Sequence, residues 1–120
     1  MNKPHKRLDV WASAMDLAQR VYQITDQFPS KERYGLSSQI RRAAVSIPSN
    51  IAEGAARHSK KEFVQFLHIS KGSLSELDTQ LELAKRLEYL SQPDWKDVNE
   101  LLERVDKMLS GLIRHLRAKQ

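Results

Sequence analysis

Apolar side chains recur at every third or fourth position along almost the whole chain, a period that fits helices and no other regular element. No β-branched alternation persists, and no Asn-Gly or Asp-Gly hairpin turn interrupts the pattern. In the first segment Leu8, Trp11, Met15, Ala18, Tyr22 and Thr25 follow this spacing. A second seam, Val10, Ala14, Leu17, Val21, Ile24 and Phe28, runs beside it. Two adjacent seams are wider than one neighbouring helix covers, so this helix is expected to touch two partners before Phe28-Pro29 ends it.

Three further segments follow. After Gly35, with Ser37 or Ser38 as N-cap, the line Ile40, Ala44, Ile47, Ile51 and Ala55 is flanked by small residues. Their size allows close backbone approach and predicts the most buried helix. Pro48 lies inside this line, which continues in phase across it, so a kink is expected rather than an end, with a break at Ile47 as the alternative. Ser59-Lys60-Lys61-Glu62 forms a capping box ahead of Phe63, Leu67, Ser70, Leu74, Leu77, Leu81 and Ala84. Pro93-Asp94 then opens a last helix with the core line Val98, Leu101, Val105, Met108, Leu112 and Leu116. The expected helices span about 8–28, 37–57, 60–90 and 95–117. Short connections between them imply an all-α, antiparallel up-down-up-down four-helix bundle occupying the 120 residues as one domain.

Composition narrows the function classes. The absence of cysteine excludes disulfide scaffolds, thiolate metal sites and cysteine nucleophiles. No apolar run approaches a membrane span and the N-terminus lacks a signal-peptide core, so a cytoplasmic protein without a membrane partner is expected. The net charge of +5 conceals strong segregation along the chain. Residues 31–73 are rich in Lys and Arg, 74–106 are acidic, and from Lys107 onward the only charged groups are basic. Such blocks suit an anionic partner or charge-complementary self-assembly. Part of the basic tail is also what a helix C-terminus favours.

Motifs for chemistry are missing. Three residues before His58, His68 and His115 stand Ala55, Gln65 and Leu112, so no Glu-x-x-His pair of the di-iron bundles exists. There is no His-Glu-x-x-His motif and no phosphate-binding loop. Lys71-Gly72-Ser73 lacks the loop's first glycine and falls inside a helix, where Gly72 is expected to admit a neighbouring group. His68 reads as a partly buried helix residue. No enzyme, cofactor or metal site is expected.

One segment is distinctive. On a helix Arg42, Ser46, Ser49, Asn50, Glu53 and Arg57 form a polar ribbon, with Glu53 and Arg57 spaced as an ion pair. Either Arg42, Ser46, Asn50, Glu53 and Arg57 make a structural network inside the bundle or at a subunit contact, or they hold a ligand. For Asn50 and Glu53 the network is favoured, because burying unpaired polar groups costs roughly 1–3 kcal/mol.

The stretch Arg41-Arg42-Ala43-Ala44, then Ser46-Ile47-Pro48-Ser49-Asn50-Ile51-Ala52-Glu53-Gly54, resembles the four-helix-bundle proteins of the 23S rRNA-intervening-sequence family. Phe63, Phe66-Leu67, Lys71-Gly72-Ser73 with Glu76, Leu8-Asp9-Val10-Trp11 and Phe28-Pro29 with Glu32 suit the same pattern. The resemblance implies an antiparallel bundle and a ring-shaped homopentamer. It also implies kinship with the accessory variability proteins of diversity-generating retroelements, which work with a reverse transcriptase and nucleic acid.

The expectation is a non-enzymatic homo-oligomer that binds RNA or DNA through phosphates, without reading sequence. The candidate contacts are Arg41, Lys60, Lys61, Arg114, Arg117 and Lys119, which lie in the basic blocks and off the apolar lines. Tyr34 is the only aromatic outside the core lines that is close to a basic cluster, so base stacking is little supported. The alternative is a protein-interaction module whose charge blocks serve self-assembly, with a protein partner and no nucleic acid.

Overall fold

The computed structural model describes residues 3–119. Four helices carry the fold: α1 (Asp9–Thr25), α2 (Leu36–Ala55), α3 (Lys60–Arg86) and α4 (Gln92–Ala118). Short 3₁₀ turns at Pro4–Arg7 and Ser30–Glu32 precede α1 and α2. Among the described residues there is no strand.

Side-chain contacts fix the directions of the helices. Arg41 near the start of α2 bonds Asp26 just past α1, while Gly54 near the end of α2 lies under Phe63 and Phe66 at the start of α3. Lys71 of α3 reaches Ser110 of α4, and Arg20 late in α1 bridges Asp94 and Asp97 in the opening turns of α4. Each helix is therefore antiparallel to the next, and α4 returns to α1 to close the up-down-up-down bundle. It measures 46 × 24 × 21 Å, a length consistent with 27-residue helices at about 1.5 Å per residue.

The core follows the apolar lines. Ala14, Leu17 and Val21 of α1, Ile40, Ile47 and Ile51 of α2, and Leu67 and Leu77 of α3 are fully buried. α2 runs through Pro48 without a break. On α4 the buried row is Val98, Leu102, Val105, Leu109, Ile113 and Leu116. Leu101, Met108 and Leu112, expected at the centre, are half-buried on its flank. The apolar face of α4 is wide enough for either phase, and packing against α1 and α3 selects one.

Helix ends depart most from expectation, because local hydrogen bonds decide them. Gly35 rather than Ser37 or Ser38 is the N-cap of α2, and it has no side chain with which to cap the helix itself. Ser91, not Asp94, caps α4, its hydroxyl accepting the Asp94 N–H at 3.2 Å with Pro93 already in the first turn. Ser59 caps α3 as the capping box requires, accepting from the Glu62 N–H at 3.1 Å. α1 stops at Thr25, and Phe28 enters the core from the turn beyond it.

α3 stops at Arg86 rather than continuing to Leu90, because Glu88 turns to φ 62°. The Tyr89 N–H then donates to the Ala84 carbonyl and the Glu88 N–H to that of Lys85, both at 3.0 Å, the paired bonds of a Schellman cap. A glutamate in left-handed backbone is strained where glycine is not. Glu88→Gly is therefore expected to raise stability by about 0.5–1 kcal/mol in urea unfolding.

The cap delivers Tyr89 to the α1–α2 connection, where its hydroxyl donates to Glu32 Oε2 at 2.9 Å and its ring meets Phe28 at 5.6 Å. Glu32 Oε1 accepts the Leu36 N–H at 3.2 Å. The backbone bond first and the phenol second hold the Glu32 carboxyl below the usual carboxylate range. A value lowered by folding stabilises the fold above the unfolded value and is lost as pH falls through the folded one. The thermal midpoints of wild type and Tyr89→Phe, followed from about pH 7 to about pH 3, should therefore differ at neutrality and converge in acid.

The doubled seam of α1 resolves into an inner and an outer row. The inner row is buried, whereas on the outer row Met15 and Tyr22 are each 44% exposed. With Trp11, Val45, Pro48 and Ala52 they line an apolar groove of about 680 Å³ between α1 and α2, into which His5 folds from the N-terminal turn, edge-on to Trp11. Ile69 and Leu83 of α3, and Leu87 at its C-cap, are also about half exposed.

Candidate nucleic-acid interface

The antiparallel topology brings to one end of the bundle the start of α1, the α2–α3 turn and the last turns of α4. Each carries cations: Lys6 and Arg7; Arg57, Lys60 and Lys61; and Arg114, Arg117 and Lys119, all exposed. The last turns of α4 are tied to α3 directly, since Arg117 Nη2 donates to His68 Nε2, in the third turn of α3, at 3.0 Å. The carboxylates in the same stretches are Asp9, Glu53 and Glu62. None of the ion pairs among the described residues engages the cations of this end. His5, His58, His68 and His115 also belong here, and His68 is exposed rather than partly buried. Helix dipoles add little net field, because two N-termini and two C-termini meet at this end.

Five of the six candidate contacts, Lys60, Lys61, Arg114, Arg117 and Lys119, thus come together. Arg41 does not. It lies at the opposite end, where its guanidinium bonds Asp26 Oδ1 and Thr25 Oγ1, both at 2.8 Å, and stacks 4.6 Å from the centre of the Tyr22 ring. Tyr34 is at that far end too, 88% exposed, with Arg33 5.6 Å from its ring centre.

The polar ribbon of α2 divides in two. Ser46 and Asn50 build a network: Ser46 Oγ meets Ser73 Oγ at 2.8 Å, and Asn50 Nδ2 donates to the Ser46 carbonyl at 2.9 Å and hydroxyl at 3.0 Å. Nearby, buried Ser70 donates to the Ile47 carbonyl at 2.9 Å. These bonds fix the register of α2 against α3. Arg42, Glu53 and Arg57 face solvent. Glu53 and Arg57 form no ion pair; Arg57 instead lies over the partly buried Phe66 ring, 4.7 Å from its centre, a contact comparable in strength to a surface ion pair. Arg42 and Glu76 line a shared recess without bonding each other.

Gly72, expected to admit a neighbour, has nothing within 4 Å of where a Cβ would stand. The glycine that does admit one is Gly54: a Cβ there would lie 2.7 Å from Phe66 Cβ and 2.9 Å from Phe63 Cδ1. Its small neighbours Ala52 and Ala55 gave no sign in sequence of which position meets α3. Among the described residues no three His, Asp or Glu side chains come together as metal ligands, and no helix is long and apolar enough to cross a membrane.

The fold and its basic end define a small four-helix-bundle protein with one strongly cationic pole. Residues 6–111 match the model of the 23S rRNA-intervening sequence protein family, and the chain belongs to that family. It is similar in structure to a protein of unknown function from the S23 ribosomal protein family of Bacteroides thetaiotaomicron. The two are 25% identical, with a TM-score of 0.81 over 88% of this chain and 95% of that one. No curated protein matches the chain.

Proposed function

We propose that the protein is a non-enzymatic, self-associating bundle that binds nucleic acid through phosphate contacts at its basic end. One observation carries the reading: cations separated by up to about a hundred positions in sequence meet at one pole, with few carboxylates among them. A phosphate backbone matches such a surface by charge, and the scarcity of exposed aromatics there argues for contacts that ignore base identity. The cations are exposed, so binding displaces counterions rather than breaking internal ion pairs.

Self-association is supported by an apolar groove and by exposed apolar side chains elsewhere on the bundle. The α1–α2 groove is concave, Ile69 of α3 and the Leu83–Leu87 pair at its C-terminal end are separate half-exposed apolar points, and a contact between unlike faces repeats from copy to copy until it closes. A ring of this kind would set several basic poles side by side and multiply their hold on one strand.

Binding to RNA and duplex DNA at increasing salt tests the reading, with light scattering recorded on the same samples. Affinity should fall steeply with salt, and the mass should be a multiple of 13.9 kDa. Met15→Glu should dissociate the assembly and weaken RNA binding through lost avidity. Binding indifferent to salt, or none, overturns the nucleic-acid reading; a monomeric wild type overturns the assembly.

A second reading, a protein-interaction module whose charges serve assembly, is favoured by the exposed carboxylates Asp78, Glu100 and Glu103 in the acidic stretch. Arg114→Glu with Arg117→Glu separates the two. Loss of RNA binding in an intact oligomer supports the first, and dissociation supports the second.

A further inference from the structure

All four histidines of the chain, His5, His58, His68 and His115, lie at the basic pole, and one of them makes a contact that a proton undoes. Arg117 Nη2 stands 3.0 Å from His68 Nε2. A guanidinium has donors only and keeps its charge at every accessible pH, so this bond requires a lone pair on Nε2. The bonded imidazole is therefore neutral, with its proton on Nδ1. Both side chains are exposed, so the packed core does not hold them in this arrangement.

The groups around the pair are mostly cationic. Lys71 follows His68 by one turn of α3 and is held by Ser110 at 2.6 Å and Asp106 at 3.4 Å, both of α4. Arg114 precedes Arg117 by one turn of α4, and Lys61 and Glu62 stand in the opening turn of α3. α2 packs on the other edge of α3, through Phe66, Ser70 and Ser73, and α1 lies diagonally across the bundle. No ion pair among the described residues brings a carboxylate to His68. Protonation of His68 therefore removes the acceptor and sets two like charges side by side. An anion to which both can donate relieves them, and a phosphate, with several outer oxygens, can accept from both at once.

We propose that His68 and Arg117 form a proton-gated phosphate contact, so that the basic pole takes up a proton as it binds nucleic acid and binds more tightly in mild acid. The inference rests on the nucleic-acid reading above and adds its regulation. In the gating step Nε2 takes a proton from solvent, its bond to Arg117 Nη2 is lost, and imidazolium and guanidinium both donate to phosphate oxygens. Histidine is the side chain that changes charge between about pH 5 and pH 8. Little opposes the exchange, because a bond between exposed groups is worth little. His5, His58 and His115 add their own charges to the same pole; His68 adds a charge and also frees an arginine. By linkage, protonation and nucleic-acid binding strengthen each other equally.

Binding of oligouridine, whose bases do not titrate in this range, tests the proposal from about pH 8 to about pH 5.5 at constant salt. Wild-type affinity should rise at least about tenfold as pH falls, the gain of roughly one phosphate contact. His68→Gln keeps an acceptor for Arg117 and cannot take up the proton. It should match wild type within about twofold at the alkaline end, which shows the pole intact, and its rise in acid should be at least about threefold smaller. His68→Lys, a fixed cation, should bind at the alkaline end nearly as tightly as wild type does in acid. His58→Gln and His115→Gln, each removing one imidazole from the pole, should lose less of the rise than His68→Gln. Calorimetry at about pH 6.5 in buffers of unlike ionisation enthalpy should show proton uptake on binding by wild type and a smaller uptake by His68→Gln. No binding at any pH overturns the function proposed above and this inference with it. Binding at the alkaline end without a rise in acid overturns this inference alone, as does a rise that His68→Gln keeps in full.

Discussion

Reversing Lys60, Lys61 and Arg117 to glutamate is expected to lower RNA affinity at low salt by at least about a hundredfold, and to reduce the slope of log affinity against log salt by roughly three. The three side chains sit on two segments that only the tertiary structure brings together, and all three are exposed. Their replacement should cost little stability; the Arg117 contact to His68 lies at the surface, where such bonds are worth little. The matching control is Lys31→Glu with Lys96→Glu, exposed cations of the opposite pole. That pair should change affinity by no more than about threefold, through net charge alone. Equal losses from both sets would mean that total charge, not the basic pole, governs binding. Filter binding across a salt series measures both.

Gly54→Ala is expected to destabilise the bundle by about 1–2 kcal/mol, although alanine is the better helix former. Helix propensity favours alanine by about 1 kcal/mol. Against this, the new Cβ would stand 2.7 Å from Phe66 Cβ, 2.9 Å from Phe63 Cδ1 and 3.2 Å from the Phe63 carbonyl oxygen. Two of these atoms belong to or adjoin backbone and cannot swing aside, so α2 and α3 must separate. Overpacking of this kind typically costs 1–3 kcal/mol, about, and separation also uncovers Ile51 and Leu67. The paired control is Gly72→Ala, where nothing lies within 4 Å and propensity should act alone, stabilising by up to about 1 kcal/mol. Urea unfolding of the two variants should show shifts of opposite sign.

The two glycines show how far sequence reasoning reaches. Both lie in helical apolar patterns, and Gly72 was the one expected to meet a neighbour. Whether a helix position faces a partner at close range depends on the crossing point of two helices, which a periodic pattern leaves free along the axis. The same freedom explains α4, where Leu101, Met108 and Leu112 have the correct spacing but Leu102, Leu109 and Ile113 took the centre. An amphipathic stripe determines that a face is buried; a shift of one residue rotates that face by about 100° and must be settled by the neighbours.

Electrostatic partners were less legible still. Glu53 and Arg57 have the spacing of an ion pair, yet Arg57 takes the ring of Phe66, which only the docking of α3 supplies. Arg41 reads as a free cation in a basic block and is instead held by Asp26, Thr25 and Tyr22 of the preceding helix. Long side chains reach about 6–7 Å, so their partners are set by three-dimensional neighbours more than by sequence distance.

What the sequence determined by itself was the class of the fold: sustained three-four spacing can bury apolar surface only as helices, and short connections between helices of comparable length force neighbours to run antiparallel. It also determined the family, because the Ser-Asn-Ile-Ala-Glu-Gly stretch is a specific run of residues that ordinary amphipathic helices do not share. What only the tertiary structure decided was where charge collects. Basic residues near positions 6, 60 and 117 belong to separate stretches of chain, and they meet because an even number of antiparallel helices returns alternate helix ends to the same pole.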